Sequence, residues 1–205
     1  MALSLVASLN RPGGNVTGVS LQTVELVAKR LGLLRELAPA ATRLVALVNP
    51  SSSFNDAVVK DLQAGAATLG LSIEILSAAS EREIDAAFAK LVEKPGGALL
   101  TSPDAYFFDR RAQLVTLATR HAVPAVYPSR EWADIGGLIS YGPNFEQMCE
   151  LAGLYTGRIL KGEKAGDLPV LQPTKFDMVI NLTTAKALGI AVPNTLMALA
   201  DEVIE

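Results

Sequence analysis

Short strands rich in β-branched residues alternate along most of this chain with amphipathic helical segments. The candidate strands are Arg43–Val48, Leu71–Leu76, Gly97–Thr101, Ala122–Tyr127 and Leu138–Tyr141. Strands and helices that alternate in this way are typical of an α/β fold with a parallel sheet flanked by helices on both faces. Because right-handed crossovers connect consecutive parallel strands, we expect a flavodoxin-like strand order, 2-1-3-4-5.

The composition sets the size of the core and argues against one class of partner. The chain has 205 residues, of which 50% are hydrophobic, and its formal net charge is −3. These values allow a sizeable core in one large domain or two small ones. A nucleic-acid-binding surface would need clustered Lys and Arg, so no nucleic-acid partner is expected.

The sequence contains no residue set that indicates an enzyme. With a single histidine, His121, and a single cysteine, Cys149, the chain cannot build a metal site from His and Cys ligands. The motifs G-x-S-x-G, G-x-G-x-x-G and Walker A are absent from the sequence. We interpret His121 as a helix-end residue and Cys149, beside Met148, as a buried apolar filler. No catalytic residue, cofactor or metal is therefore predicted.

The two ends of the chain break the alternation of strands and helices. Near the start, the turn at Arg11–Asn15 is followed by a predicted strand at Val16–Ser20. Beyond Lys161 the chain is richer in Pro and Gly, with a predicted strand at Phe176–Ile180 and a short helix capped by Thr183. We expect residues 1–20 to be a remnant of a first lobe and hinge. Residues 21–160 would form a second α/β lobe, and residues 161–205 a crossover segment returning to the first lobe or hinge.

Ligands of open α/β sheets bind outside the carboxyl ends of the strands, so the loops after the strands are the candidate site. Each of these loops mixes small polar side chains with aromatic ones, which suits a small polar ligand that has an apolar part. The candidate ligand-binding residues are Asn49, Ser51, Ser53, Asp104, Tyr106, Tyr127, Arg130 and Glu131.

Each candidate has a structural alternative. The run Ser51–Ser53 could donate hydrogen bonds to a carboxylate, but Ser53 or Asn55 could equally cap the following helix. Asp104 could accept from an ammonium group or serve as a turn and capping residue.

Arg130 and Glu131 could orient the ligand or form a solvated ion pair. Tyr106 and Tyr127 could cover an apolar ligand side chain. The consecutive aromatics Tyr106, Phe107 and Phe108 cannot all be buried at one helix start, so at least one should face a cleft or a partner.

Several segments resemble a known family of transport proteins. They are LVASLNRPGGNVTGVS, RLVALVNPSSSFN, GGLISYGPNF, YTGRILKGEKAGDLPVLQPTKFDMVINLTTAKALG and the terminal ADEVIE. Together they are similar to the ABC-transporter substrate-binding proteins of the TrpX-like, or tryptophan/tyrosine-type, family, and the resemblance covers essentially the whole chain. It implies the type-I periplasmic-binding-protein fold, in which two α/β lobes joined by crossing strands trap a ligand between them.

The resemblance also implies a function, partners and a location. It implies capture of a small molecule, with an amino acid as a candidate, and delivery to an ABC permease in the membrane. It implies a periplasmic or membrane-anchored extracytoplasmic protein, and MALSLVASLN is not a convincing signal peptide, so we expect that the signal sequence is not part of this chain. Members of the family have several more βα units in the first lobe. By this comparison we expect the second lobe to be nearly complete in this chain and the first lobe to be largely absent. A second copy of the chain is then a candidate partner, as a homodimer through the incomplete lobe.

Two other functions remain open at this level. One is a flavodoxin-like cytoplasmic enzyme or cofactor carrier that uses the Ser-rich loop as a phosphate site. The other is a ligand-sensing regulatory domain, because the same fold serves as the effector domain of repressors and receptors.

Overall fold

The computed structural model describes residues 5–21 and 26–205. Within these residues one sheet contains the strands β1 (Arg43–Val48), β2 (Ile73–Ser77), β3 (Gly97–Thr101), β4 (Ala125–Tyr127), β5 (Ile139–Pro143), β6 (Phe176–Asn181) and β7 (Glu202–Ile204). The helices are α1 (Val27–Leu37), α2 (Asn55–Thr68), α3 (Glu81–Glu93), α4 (Ala105–Asp109), α5 (Arg111–Arg120), α6 (Arg130–Asp134), α7 (Phe145–Leu160), α8 (Leu182–Ala187) and α9 (Asn194–Leu199). A short 3-10 helix spans Ala165–Asp167.

The sheet order is β2-β1-β3-β4-β5-β6-β7. The pairs β1–β2, β1–β3, β3–β4 and β4–β5 are all parallel. This confirms the predicted parallel arrangement and its 2-1-3-4-5 order. All five strands therefore end at the same edge of the sheet, which brings their following loops together.

The sheet continues past β5 with a change of direction. The N–H of Asn144 bonds to the carbonyl of Lys175, and the N–H of Asn181 bonds to the carbonyl of Leu138. The end of β5 thus faces the start of β6, which is the antiparallel relationship. β6 and β7 are parallel to each other.

Alternate residues of the central strands pack into two apolar clusters on opposite faces of the sheet. On β1, Leu44, Ala46 and Val48 lie in the cluster that α1 and α2 cover. Val45 and Leu47 lie in the other cluster, with residues of α3, α5 and α6. Because successive side chains of a strand point to opposite faces, a fully apolar strand such as β1 requires helices on both sides.

Packing divides the chain into two compact units. One combines the described part of Met1–Gln22 with Pro143–Phe176, and the other combines the described part of Thr23–Gly142 with Asp177–Glu205. This division differs from the predicted segments 1–20, 21–160 and 161–205. Helix α7 groups with the first residues of the chain, whereas β7 and most of β6 group with the large sheet-containing unit.

Inside the smaller unit, the segment around the Arg11–Asn15 turn packs against residues 166–168, which follow Lys161. The N–H of Gly13, whose φ is 75°, bonds to the carbonyl of Gly166 at 3.1 Å. A Cβ on Gly166 would lie 2.6 Å from the Gly14 carbonyl oxygen, so only glycine allows this approach. The Oγ1 of Thr17 donates to the Leu168 carbonyl at 2.6 Å. The R-P-G-G-N-x-T-G motif is thereby tied to residues 166–168.

The predicted strand at Val16–Ser20 and two predicted strand boundaries need correction. Around Val19 there is a single parallel bridge to Leu171 rather than a strand. β2 begins at Ile73 rather than Leu71, and β4 begins at Ala125 rather than Ala122. Ala122 cannot belong to β4 because its φ of 51° and the bond from Val123 N–H to the Ala118 carbonyl close the end of α5.

Helix caps were predicted with mixed success. The expected capping box at α3 is confirmed, since Ser80 Oγ accepts from the Glu83 N–H at 3.3 Å. The expected cap of α8 by Thr183 is wrong. Asn181 takes that role, because its Oδ1 accepts from the Thr184 N–H at 2.9 Å.

Cys149 is exposed, so its prediction as a buried filler is also wrong. The buried positions of α7 are Met148 and Tyr155, which lie on one face of the helix. Cys149 lies about 100° away from Met148 around the helix axis and therefore outside this face.

Candidate functional site

The loops after β1 and β3 meet at the carboxyl edge of the sheet. Asn49 follows β1 and Asp104 lies shortly after β3, and the two strands are direct parallel neighbours. The Nδ2 of Asn49 donates to Oδ1 of Asp104 at 2.9 Å, although the residues are 55 positions apart in sequence. The structure therefore brings together two of the candidate residues.

Asp104 is the N-cap of α4, which is one of the two roles that the sequence allowed for it. Its Oδ1 accepts from the backbone N–H groups of Tyr106, at 3.0 Å, and Phe107, at 3.3 Å. These bonds and the bond from Asn49 all reach Oδ1. In the part of the chain that the structure describes, none of these three donors contacts the second carboxylate oxygen, Oδ2. The cap therefore fixes the carboxylate while leaving one oxygen for another donor.

Asn49 is an internal connector of this site. Its Nδ2 is used by Asp104, and its Oδ1 accepts from the Ser51 N–H at 3.0 Å. The side chain is only 8% exposed. Both ends of the amide are thus engaged, so Asn49 positions its neighbours instead of presenting a free polar atom.

A small depression lies between these two loops. Its polar lining comes from Asn49, Ser52, Asn55, Ser102 and Asp104. Val48 and Val58 contribute apolar wall. Ser52 and Asn55 flank the start of α2, whose N-cap residue Phe54 makes no side-chain capping bond. Sequence reasoning treated Asn55 only as a capping alternative, and the structure places it in the depression.

Asn55, which lines this depression, has an unusual side-chain oxygen, Oδ1. It is buried and has no hydrogen-bond partner within residues 5–21 and 26–205. The other end of the same amide, Nδ2, donates to Asp56 Oδ1 at 3.2 Å. A buried acceptor without a donor costs about 1–3 kcal/mol, so such atoms in folded proteins need an explanation.

Ser51, Ser53 and Tyr106 flank the depression without lining it. Ser51 and Ser53 are exposed, and Tyr106 is half-buried. The expectation that the three aromatics of α4 cannot all be buried is confirmed, because Phe107 is fully buried while Phe108 is 40% exposed. Arg111 lies over the Phe108 ring, with its guanidinium carbon 4.5 Å from the ring centroid.

The three remaining candidates, Tyr127 at the end of β4 and Arg130 and Glu131 at the start of α6, do not line the depression. Tyr127 is 1% exposed and its ring stacks on that of Trp132, with centroids 4.9 Å apart. Burial raises the pKa of the Tyr127 phenol. In this conformation the Tyr127 ring packs in the core and does not cover a surface cleft.

Arg130 forms ion pairs with Asp134, at 3.4 Å, and with Glu202, at 3.0 Å. The hydrogen bond with Asp134, and to a smaller extent the one with Glu202, raises the pKa of Arg130. The sequence allowed Arg130 to belong to a solvated ion pair, and the structure shows such pairs. The partners are Asp134 and Glu202 and not Glu131. The Oε2 of Glu131 is buried and lacks a hydrogen-bond partner among the residues that the structure describes.

A buried arginine ties the edges of the neighbouring strands to α1. Arg30 is 0% exposed, and its Nε donates to the Tyr141 carbonyl at 2.7 Å while its Nη2 donates to the Pro128 carbonyl at 3.1 Å. Burial lowers the pKa of the Arg30 guanidinium to about 9, which still leaves it charged at neutral pH. The segments after β4 and within β5 are thus held in place by one side chain that sequence reasoning did not single out.

The described ranges, residues 5–21 and 26–205, offer neither a metal-binding cluster nor a membrane-spanning helix. No group of three or more His, Cys, Asp or Glu side chains there could hold a metal ion. None of the helices in those ranges is long and apolar enough to cross a lipid bilayer.

Residues 1–204 match the family model described as ABC transporter substrate binding protein. The chain belongs to this family. Membership confirms the resemblance deduced from the sequence motifs, and it favours a solute-binding protein over the enzyme and regulatory alternatives.

Two solved structures of substrate-binding relatives are similar to this family member over nearly its whole length. The ABC domain in complex with L-Trp from Streptococcus pneumonia has 28% identity and a TM-score of 0.84, covering 98% of this chain and 68% of that one. A ligand-free, open substrate binding protein with adhesive properties from Clostridium difficile has 26% identity and a TM-score of 0.71, covering 98% and 66%. Both confirm the type-I periplasmic-binding-protein fold.

A curated relative extends the comparison to a protein with a named ligand. The tyrosine-binding protein of Clostridioides difficile (strain R20291) is 27% identical over 184 residues, or 90% of this chain. The chain spans about half of that relative, 52% of its length.

Proposed function

We propose that this chain is the solute-binding component of an ABC importer and that it binds the main-chain groups of an α-amino acid at the depression between Asn49, Asn55 and Asp104. The observation that carries the proposal is the arrangement of donors at the Asp104 carboxylate. Three donors bind Oδ1, and none of these three binds Oδ2. A carboxylate held in this way is a preformed acceptor for an ammonium group.

The start of α2 offers the complementary group for a zwitterion. The positive end of the α2 dipole lies beside the depression and favours a carboxylate, and Ser51–Ser53 add hydroxyl donors next to it. An α-amino acid carries one anionic and one cationic group on the same carbon, which suits a depression with a helix start on one side and Asp104 on the other.

The names of the relatives support an aromatic amino acid as the ligand class. One relative is named as a tyrosine-binding protein, and another was solved with L-Trp. Phe54, which is 52% exposed, lies at the start of α2 next to lining residue Asn55 and offers a ring to an aromatic side chain.

Delivery to a membrane permease and an extracytoplasmic location follow as parts of the same proposal, supported by family membership. Self-association is a further part. It is supported by the apolar residues that the smaller unit leaves exposed on α7, where Phe145 is 56%, Leu154 58% and Leu160 82% exposed.

Calorimetric titration with a panel of amino acids tests the ligand proposal. Asp104→Asn keeps an oxygen for the α4 cap but removes the charge, so we expect at least about a tenfold loss of affinity, the lower end of what a desolvated charge contact contributes. Asp109→Asn is the matched control, since Asp109 lies at the other end of α4 with its side chain 76% exposed.

The control should bind like the wild type. An unchanged affinity in Asp104→Asn would exclude Asp104 from the site. A wild-type chain that binds no amino acid would overturn the proposed ligand class.

A further inference from the structure

Two side-chain oxygens at the proposed site have no donor from the described residues. Asn49 spends its Nδ2 on Asp104, and Asn55 spends its Nδ2 on Asp56. Among the amide and carboxylate oxygens of the lining, this leaves Oδ2 of Asp104 and the buried Oδ1 of Asn55 without a donor from the described residues. A ligand group that satisfies this wall must bring hydrogen-bond donors.

We infer that Asn55 is a specificity-determining residue that, together with Asp104, selects a primary ammonium group. This inference rests on the proposed function and extends it to a residue that neither the sequence motifs nor the comparisons assign. Asp104 supplies the charge, and Asn55 Oδ1 accepts a second N–H of the same group.

The number of N–H donors on the ligand then decides its affinity. A primary ammonium has three N–H donors and can serve both acceptors. A dimethylated ammonium carries the same charge but has one N–H, so it can serve only one of them. With Asp104 satisfied, Asn55 Oδ1 would stay buried without a donor, and the bulkier nitrogen would also have to fit the same space. The charge alone cannot produce this selection, because both ligands carry it.

The local structure makes Asn55 suitable for substitution. It is the first residue of α2, and it does not cap the helix, because the N-cap position belongs to Phe54. Its amide makes one side-chain hydrogen bond among the described residues, to the neighbouring Asp56. Replacing it with Leu removes the acceptor and keeps the branched shape of the side chain, whereas Asn55→Asp retains an acceptor at the same place.

The experiment measures the affinities of L-tryptophan, L-tyrosine and their N,N-dimethyl derivatives by calorimetry on the 205-residue chain. The wild type should prefer the primary amine by at least tenfold. In Asn55→Leu the ratio of the two affinities should fall by about tenfold, mainly through weaker binding of the primary amine. Asn55→Asp should preserve the preference. Gln63→Leu, at an exposed position farther along α2, should behave like the wild type.

The outcomes separate this inference from the proposed function. If the wild type binds L-tryptophan or L-tyrosine and the ratio is the same in Asn55→Leu, the inference is overturned while amino-acid binding stands. If the wild type binds neither ligand, the inference and the proposed aromatic ligand class are both overturned. Thermal unfolding of each variant in the absence of ligand confirms that it is folded before the affinities are compared.

Discussion

The guanidinium of Arg30 donates through Nε to the main-chain carbonyl of Tyr141 at 2.7 Å, from a side chain that is completely buried. A second bond, from Nη2 to the Pro128 carbonyl, joins the end of β4 to the same side chain. The planar fork of arginine suits this role, because it offers several donors in fixed directions to carbonyls on two adjacent strands. Helix α6, which carries Arg130 and Glu131, starts shortly after Pro128.

Removing the Arg30 donors should destabilise the protein strongly. In Arg30→Met, the carbonyls of Pro128 and Tyr141 lose their guanidinium donor, and each unsatisfied buried group costs roughly 1–3 kcal/mol. We therefore expect the free energy of unfolding to fall by about 2–5 kcal/mol in urea denaturation. Lys29→Met, an exposed neighbour on α1, should stay within about 0.5 kcal/mol of the wild type. Equal midpoints for the two variants would contradict the role given to Arg30.

Gly142 should tolerate no side chain. A Cβ at this position would lie 1.9 Å from the Pro128 carbonyl oxygen, which is the same oxygen that Arg30 binds. In Gly142→Ala the backbones of β5 and the segment after β4 must separate, so we expect a loss of roughly 1–3 kcal/mol or more in the free energy of unfolding.

Gly153→Ala is the matched control for this substitution. No atom lies within 4 Å of a Cβ at Gly153, which is inside α7. Alanine is about 1 kcal/mol more favourable than glycine in a helix interior, so this variant should be as stable as the wild type or more stable. Thermal unfolding followed by circular dichroism compares the two variants. A stable Gly142→Ala protein would show that the close approach is not needed.

The buried phenol of Tyr127 should make stability fall at alkaline pH. Burial raises its pKa in the folded protein, so above the ordinary tyrosine pKa of about 10 the unfolded chain loses this proton while the folded chain keeps it. The unfolded state then binds fewer protons, and the free energy of unfolding decreases as the pH rises through this range.

Urea denaturation of the wild type and Tyr127→Phe at pH values from about 8 to about 11 tests this sign. Tyr127→Phe removes the titrating group and should lose less stability over the same interval, whatever its stability at the lower pH. If the two proteins show the same slope, ionisation of Tyr127 in the unfolded chain does not contribute.

Local patterns in the sequence were sufficient for the central sheet. The apolar, β-branched run of β1 and the capping box at Ser80 and Glu83 are properties of neighbouring residues, and both predictions are confirmed. The order of the first five strands followed from the handedness of their crossovers. The predicted boundary at Ala122 failed because a positive φ at the end of α5 is not visible in a β-branched pattern.

The site was only partly predictable. The rule that ligands bind at the carboxyl ends of strands selected Asn49 and Asp104 as candidates, and both lie at the depression. Their mutual hydrogen bond, across 55 positions of sequence, determines which oxygen of Asp104 remains for a ligand. No sequence pattern distinguishes the two oxygens of one carboxylate.

The sequence by itself determined that strands and helices alternate, that helices cover both faces of the sheet, and which loops gather at one edge of the sheet. These features depend on periodicity and chain connectivity, which are local. Only the tertiary structure decided that Arg30 is buried, that Tyr127 packs against Trp132 in the core, and that Asn55 Oδ1 is buried without a partner among the described residues. Those outcomes depend on which distant segments exclude water from a side chain and supply or withhold its hydrogen-bond partners, and such segments are brought together only when the whole chain folds.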